Sequence, residues 1–275
     1  MEPLALTAEL LKRITIDVDN KLIKYTCQLH RMLPGESLPS PSGSGVLAQL
    51  RGQYFILSAS HVLDKDMMER RKDTSLYIFI EDGFHAIPGM SMNSPHEPAN
   101  EIDLSCYLIR PDIARKLIKS YEFLTIEKIV TSIELVNTPQ YCVLGYREEN
   151  TRIEKESYYA QPSMYLLKPS SDKVYTNYKI SKSNSILLEM RGKGSDMKKG
   201  GEKKFSGSFY GLSGGGLWFV DISKKDTEVV LDYFLIGIMT QFNKGKFYYL
   251  KGDRIGPLIE RIFRLPIDSI MQRLI

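Results

Sequence analysis

One serine stands among glycines in Gly211-Leu212-Ser213-Gly214-Gly215, and the stretch runs on into the apolar Leu217-Trp218-Phe219-Val220. Glycine on both sides opens backbone conformations closed to other residues. It also lets a substrate come close to bare amide N–H groups. A nucleophilic serine needs an exposed Oγ and donors aimed at the developing oxyanion, and this stretch can supply both.

Chain order decides which base could serve that serine. The stretch also fits G-x-S-x-G, the nucleophile elbow of α/β-hydrolases, where acid and histidine follow the serine. All four histidines (His30, His61, His85, His96) precede Ser213, so the elbow fails within this chain. A His–Asp–Ser order remains. His61 closes the strand-like run Tyr54-Phe55-Ile56-Leu57-Ser58-Ala59-Ser60-His61, where small neighbours leave room for an imidazole. Asp103 opens a second apolar run, Leu104 to Ile109, so its carboxylate belongs at the rim of a core. There it could hold the imidazole Nδ1–H and fix the tautomer. Asp64, Asp66, Asp73 and Asp82 compete for that role, but none opens so long an apolar run. His30, His85 and His96 read as surface or strand residues. Nothing local brings His61, Asp103 and Ser213 together, so the fold must.

These segments resemble the trypsin-like, chymotrypsin-fold serine peptidases. Ser58-Ala59-Ser60-His61 resembles the family's histidine motif, Glu101-Ile102-Asp103-Leu104 its aspartate motif, and Gly211 to Gly215 its serine motif. Leu235-Ile236-Gly237-Ile238-Met239-Thr240 resembles the strand beside the substrate. The four lie in the family's order between about residues 20 and 250. The resemblance implies two antiparallel β-barrels with the triad between them. It also implies an oxyanion hole from the N–H groups of Gly211 and Ser213. It places the specificity pocket between Gly207-Ser208-Phe209-Tyr210 and the strand carrying Met239, Thr240 and Gln241. No carboxylate occurs in either segment, so an uncharged side chain is expected before the cut. The chain departs from many members at Leu212, where an aspartate would pair with a new N-terminus. Activation by that ion pair is not expected here.

Composition narrows the setting. The 275 residues are 43% hydrophobic, enough for one large or two small domains with a sizeable core. Three cysteines (Cys27, Cys106, Cys142) without close spacing do not read as a disulfide framework. Met1 to Leu6 lacks a basic leader and a long apolar core, so no secretory signal is expected there. No run reaches the roughly 18 apolar residues of a membrane span. A cytoplasmic protein, of bacterial intracellular type, is the expectation. Its partners would be a protein or peptide substrate and an activating protein, as for a switched defence effector. No cofactor and no metal are expected, because neither H-E-x-x-H nor C-x-x-C occurs. The net charge of +4 does not demand nucleic acid. The basic stretch 191–204 lacks interleaved aromatics and reads as a solvated loop ahead of the serine.

The elements that must position these groups are short strands bounded by turn signals, which favours a mainly β, barrel-type architecture. Thr7 to Asp17 predicts a helix ended by Asp19-Asn20, and Lys21 to Arg31 a strand. Residues 34–45 read as a Pro/Gly loop, and Val46–Leu50 with Gln53–Leu57 as a hairpin. Ser75–Ile80 and Leu104–Ile109 complete the first set. Pro111 to Thr131 predicts a helical join. Gln140–Gly145, Met164–Leu167, Ile186–Met190, Gly216–Val220, Val229–Ile238 and Phe247–Leu250 form the second set. A C-terminal helix opens at Gly256-Pro257. The expected divisions are 1–20 as an N-terminal helical extension, 21–132 as a first barrel with the joining helix, and 133–275 as a second barrel with C-terminal helices.

Overall fold

The computed structural model describes residues 16–18, 20–33, 35–63, 76–81, 83–93, 102–135, 140–154, 157–190, 193–196, 201–204, 208–225, 228–243 and 249–271. They are mainly β and form two antiparallel sheets with a few helices. The first sheet uses β1 (Thr26–Arg31), β2 (Ser40–Leu50) and β3 (Gln53–Ala59), then β4 (Leu76–Ile80), β5 (Gly83–Ala86), β6 (Gly89–Asn93) and β7 (Leu104–Ile109). Its order is β5-β4-β1-β2-β3-β7-β6, so it is open, with β5 and β6 at the edges. The expectation of a closed first barrel is corrected: no ladder joins β5 to β6 among the described residues.

The second sheet uses β8 (Tyr141–Glu154), β9 (Ser157–Pro169) and β10 (Ser185–Glu189). A separate two-stranded ribbon, β11 (Lys193–Asp196) with β12 (Gly201–Lys204), follows. The sheet then takes β13 (Gly216–Lys225), β14 (Glu228–Asn243) and β15 (Tyr249–Arg254). Its order β10-β15-β14-β13-β8-β9 is closed into a ring by the pairing of Leu188 with Pro169.

Both faces of the central strands are buried, which is why they read as unbroken apolar runs. Successive side chains on a strand point to opposite faces. Val46 and Ala48, Phe55 and Leu57, and Leu104 and Cys106 therefore enter one core together with Cys142, Leu144 and Trp218 of the ring. Leu47 and Ile56, of the other parity, enter a second core beneath α2 (Pro111–Leu117), with Ile113, Ala114 and Leu117. In the ring, Tyr141 and Val143 join Leu217, Ile236 and Leu250 in a third. The two sheets are thus joined through a shared apolar layer. Each large side chain in it contributes about 1.5–3 kcal/mol of burial.

Four expectations are corrected by pairing or packing. Residues 20–22 are helical and run into the 3-10 turn Ile23–Tyr25, so the helix does not stop at Asn20. Val18 and Leu22, one helical turn apart, are both buried and carry it on. Most of the expected Thr7–Asp17 helix lies outside the described residues. Residues 40–45 are strand, because β2 pairs there with β1, Gly45 opposite Cys27 and Gly43 opposite Leu29. The helical join is only seven residues, Pro111–Leu117. Beyond it Leu124, 1% exposed, crosses β2 with its N–H on the Leu47 carbonyl at 2.9 Å. The described parts of 191–204 are a ribbon and not a loop, since ladder bonds need no core.

Four further helices occur among the described residues: α1 (Ser60–Leu63), α3 (Asp172–Tyr178), α4 (Gly256–Arg264) and α5 (Ile267–Met271). Leu258, Ile259 and Ile262 of α4 enter the shared core. Arg51 closes the end of α4 by donating to the carbonyls of Ile262, Phe263 and Leu265 at 3.2, 3.1 and 2.9 Å. The last carbonyls of a helix lack partners farther along it, though that of Ile262 also accepts the Leu265 N–H at 3.3 Å, and a cation suits the helix's negative end. No helix among the described residues is long and apolar enough to cross a membrane.

Candidate active site

Strand register brings the imidazole to the carboxylate. β3 and β7 end their ladder at Ala59 opposite Leu104. Ser60 and Asp103 therefore leave the sheet side by side, and the Ser60 N–H donates to the Asp103 carbonyl at 3.1 Å. His61 does not end the strand as expected; it sits in the helical turn α1. Its N–H donates to Asp103 Oδ1 at 3.0 Å, and its Nδ1 meets Asp103 Oδ2. One carboxylate oxygen thus fixes the main chain and the other the ring. The side chains are 44% and 32% exposed, so the pair faces solvent at the rim of the core. Nε2 has no partner among the described residues.

The serine turn is shaped by two glycines in the left-handed region, Gly211 (φ 88°) and Gly214 (φ 86°). A Cβ on Gly214 would lie 2.0 Å from the Ser44 carbonyl oxygen and 2.1 Å from Ser58 Oγ. Within the turn, the Leu212 N–H donates to the Phe209 carbonyl at 3.1 Å. The Gly214 N–H donates to Met239 at 2.7 Å and the Gly215 N–H to Leu212 at 3.0 Å. The N–H groups of Gly211 and Ser213 donate to no described group. Leu212 is fully buried in the ring's core and anchors the turn.

β2 lies between the two halves of the site. The Ser44 N–H donates to the Ser213 carbonyl at 2.8 Å. Ser44 Oγ donates to the Gly211 carbonyl at 2.7 Å and accepts the Tyr146 N–H at 2.8 Å. A Cβ on the neighbouring Gly43 would meet Val62 Cγ1 at 2.5 Å and the Ser213 carbonyl oxygen at 3.1 Å. The turn holding His61 and the turn holding Ser213 therefore flank the same glycine. Ser213 Oγ itself donates to the Thr240 carbonyl at 3.5 Å, and among the described residues it makes no hydrogen bond to His61.

The expected specificity segments divide. Gly207 lies outside the described residues. Phe209, 7% exposed, packs against Phe242 with ring centroids 4.1 Å apart, and Met239 is 2% exposed. Both belong to the ring's core. Thr240 is also buried, while Gln241 and Tyr210 are exposed, Tyr210 by 76%. A cleft of about 560 Å³ opens beside Tyr210 and Ser208, and its other walls are Pro41, Glu148, Glu149 and Thr151. Two carboxylates therefore come from β8, a segment outside those weighed for specificity. The Ser208 N–H donates to Glu149 Oε2 at 2.8 Å, and Arg147 pairs with Glu149.

Several groups matter to the geometry without a sequence signal strong enough to single them out. Ser44 sits in a Ser/Gly stretch that reads as loop. Asp253 accepts the Asp103 N–H on Oδ2 at 2.8 Å from beyond the expected end of its strand. Its signal was the pair Lys251 and Asp253, two apart and so on one face of a strand. Asp64, Asp66, Asp73, Asp82 and His96 lie outside the described residues. Cys27, Cys106 and Cys142 are buried and form no disulfide among the described residues, and burial pushes the Cys27 thiol up to about 12. Among the described residues, no three His, Cys, Asp or Glu side chains gather as metal ligands would. No protein-family model matches the chain, and no curated protein matches it.

Proposed function

We propose that the protein is a serine endopeptidase whose two sheets are the counterparts of a chymotrypsin-like pair of barrels. The observation that carries this reading is the coincidence of two features across β2. One is the carboxylate-held imidazole of His61; the other is a serine turn whose Gly211 and Ser213 N–H groups are unengaged.

In this reading Ser213 Oγ turns from the Thr240 carbonyl toward His61 Nε2 and gives up its proton as it attacks the substrate carbonyl. The tetrahedral oxyanion takes hydrogen bonds from the N–H groups of Gly211 and Ser213. Asp103 stabilises the imidazolium and holds the ring tautomer without itself taking the proton. His61 then protonates the leaving amine as the C–N bond breaks. Water, deprotonated by His61, releases the acyl group and restores the serine. The substrate is a protein or peptide chain, and Tyr210 and Gln241 are the exposed members of the described specificity segments, with Ser208 half-buried.

A second reading is favoured by one contact. The Ser213 hydroxyl bonds to the Thr240 carbonyl, as it would in a binding module whose serine never reacts. A fluorophosphonate probe separates the two. The peptidase reading expects covalent labelling at Ser213, absent in Ser213→Ala, together with cleavage of a denatured protein substrate. Absence of both at full enzyme concentration would leave the binding module. Turnover of small esters without any peptide cleavage would make it an esterase on the same scaffold.

A further inference from the structure

We infer that Asp253 is a positioning residue for Asp103: it holds the Asp103 main chain from the opposite sheet, with the Lys251 ammonium as its counter-ion. This rests on the reading of His61, Asp103 and Ser213 as a triad. Asp253 lies on β15 and is fully buried. Its Oδ2 accepts the Asp103 N–H at 2.8 Å. Its Oδ1 accepts the Ser185 hydroxyl at 2.7 Å and faces Lys251 Nζ at 2.9 Å. Ser185 is the residue directly across the ladder on β10, and the Lys251 side chain is 8% exposed.

The arrangement answers a backbone requirement. Asp103 stands one residue ahead of the β7 ladder, so its N–H has no partner within its own sheet. Asp253 supplies that partner. The Asp103 peptide is thus pinned at both ends, its carbonyl by Ser60 and its N–H by the ring. The direction of its carboxylate toward His61 is therefore set by the docking of the two sheets. The cation compensates the Asp253 carboxylate, whose charge would otherwise stand unpaired in the core. A buried ion pair adds little net stability over an apolar pair of equal volume. What an apolar pair could not provide is the acceptor.

Two charge-neutral double variants isolate that acceptor. Asp253→Asn with Lys251→Met keeps an oxygen for the Asp103 N–H, whereas Asp253→Leu with Lys251→Met removes it at similar volume. Displacement of a catalytic group by about an ångström costs about 10²-fold. The leucine variant is therefore expected to show kcat about 10²-fold below the asparagine variant, with KM changed by less than roughly two-fold and similar melting temperatures. A second readout needs no turnover: two-bond proton–nitrogen spectra of ¹⁵N-histidine-labelled protein, at a pH where the His61 ring is neutral. The Nδ1–H tautomer is expected to dominate in wild type and the asparagine variant, and to mix with the other in the leucine variant. Equal kcat and equal tautomer in the two folded variants would overturn the inference. If wild type neither turns over substrate nor labels at Ser213, the peptidase reading fails, and the tautomer comparison alone decides the positioning. If the leucine variant does not fold, Asp253→Ala with Lys251→Met is read against the same asparagine variant.

Discussion

His30 lies on a strand of the first sheet and His61 in the turn that follows another, but they live in opposite surroundings. His30, on β1, is fully buried between the rings of Phe84 and Tyr158, with centroids 4.9 and 5.4 Å away. Its Nε2 meets the Tyr158 hydroxyl at 3.0 Å, and its Nδ1 has no hydrogen-bond partner. Burial lowers its pKa to about 4, so near neutrality it is an uncharged aromatic wedge. His61 stands 44% exposed beside a carboxylate that holds one nitrogen and leaves the other open. An imidazole becomes usable for proton transfer when an acid orients it and solvent can reach it. Burial without an acid turns the same side chain into packing.

The largest effect that would break this contrast falls on the serine that His61 is proposed to serve. Ser213→Ala is expected to lower kcat for peptide cleavage by on the order of 10⁴–10⁶ while leaving the fold intact. Comparable loss in a folded His30→Phe variant would assign the base wrongly. Asp103→Asn comes next, with about 10⁴-fold in kcat through the wrong tautomer of His61. Near-wild-type activity in that variant would mean another carboxylate holds the ring.

A third effect concerns stability. The unfolded chain binds a proton at His30 near its ordinary pKa of 6.5, whereas the folded chain does not until about 4. Unfolding therefore takes up a proton between these values, and stability falls as the pH drops from 6.5 toward 4. The full span amounts to about 3 kcal/mol. Urea midpoints of wild type and His30→Phe across that range test it, and parallel pH profiles would refute the burial argument. The smallest effect lies in the cleft. Glu148 is exposed at its wall, so Glu148→Gln should lower kcat/KM for peptides that place Lys or Arg there by only about five-fold or less. The change should fade at high salt. A peptide-library profile unaffected by the substitution would remove Glu148 from substrate recognition.

The juxtaposition of His61 with Asp103 was more legible in the sequence than the scaffold around it. His61 and Asp103 stand at the ends of apolar runs that pair with each other, so the chemistry marked the points where strands stop. The runs themselves carried both parities, because Leu47 and Ile56 face one core while Val46 and Leu57 face another. Residues 40–45 look like loop in the sequence because proline and glycine are turn residues by local conformation. Here Gly43 and Gly45 serve close packing against Val62 and Ile56. The polar arms of β8 and β9, such as Thr151 opposite Ala160, gave no apolar signal because their partner is the neighbouring strand. Asp253 and the cleft glutamates escaped for a related reason. Their meaning lies in what stands opposite them, and that is a property of the ring's register.

The turn that carries Ser213 is closed by Met239, and the main chain of Asp103 is held by Asp253. A chain leaving the ribosome grows by about 5–20 residues per second. One partner of each turn, Asp253 for Asp103 and Met239 for the Ser213 turn, is therefore still untranslated when Asp103 and Ser213 emerge. The ring must also join Leu144 to Gly216 and Pro169 to Leu188, long-range pairings that form slowly. On the proposed reading, a message broken before the codon for Met239 would therefore yield only inert fragments.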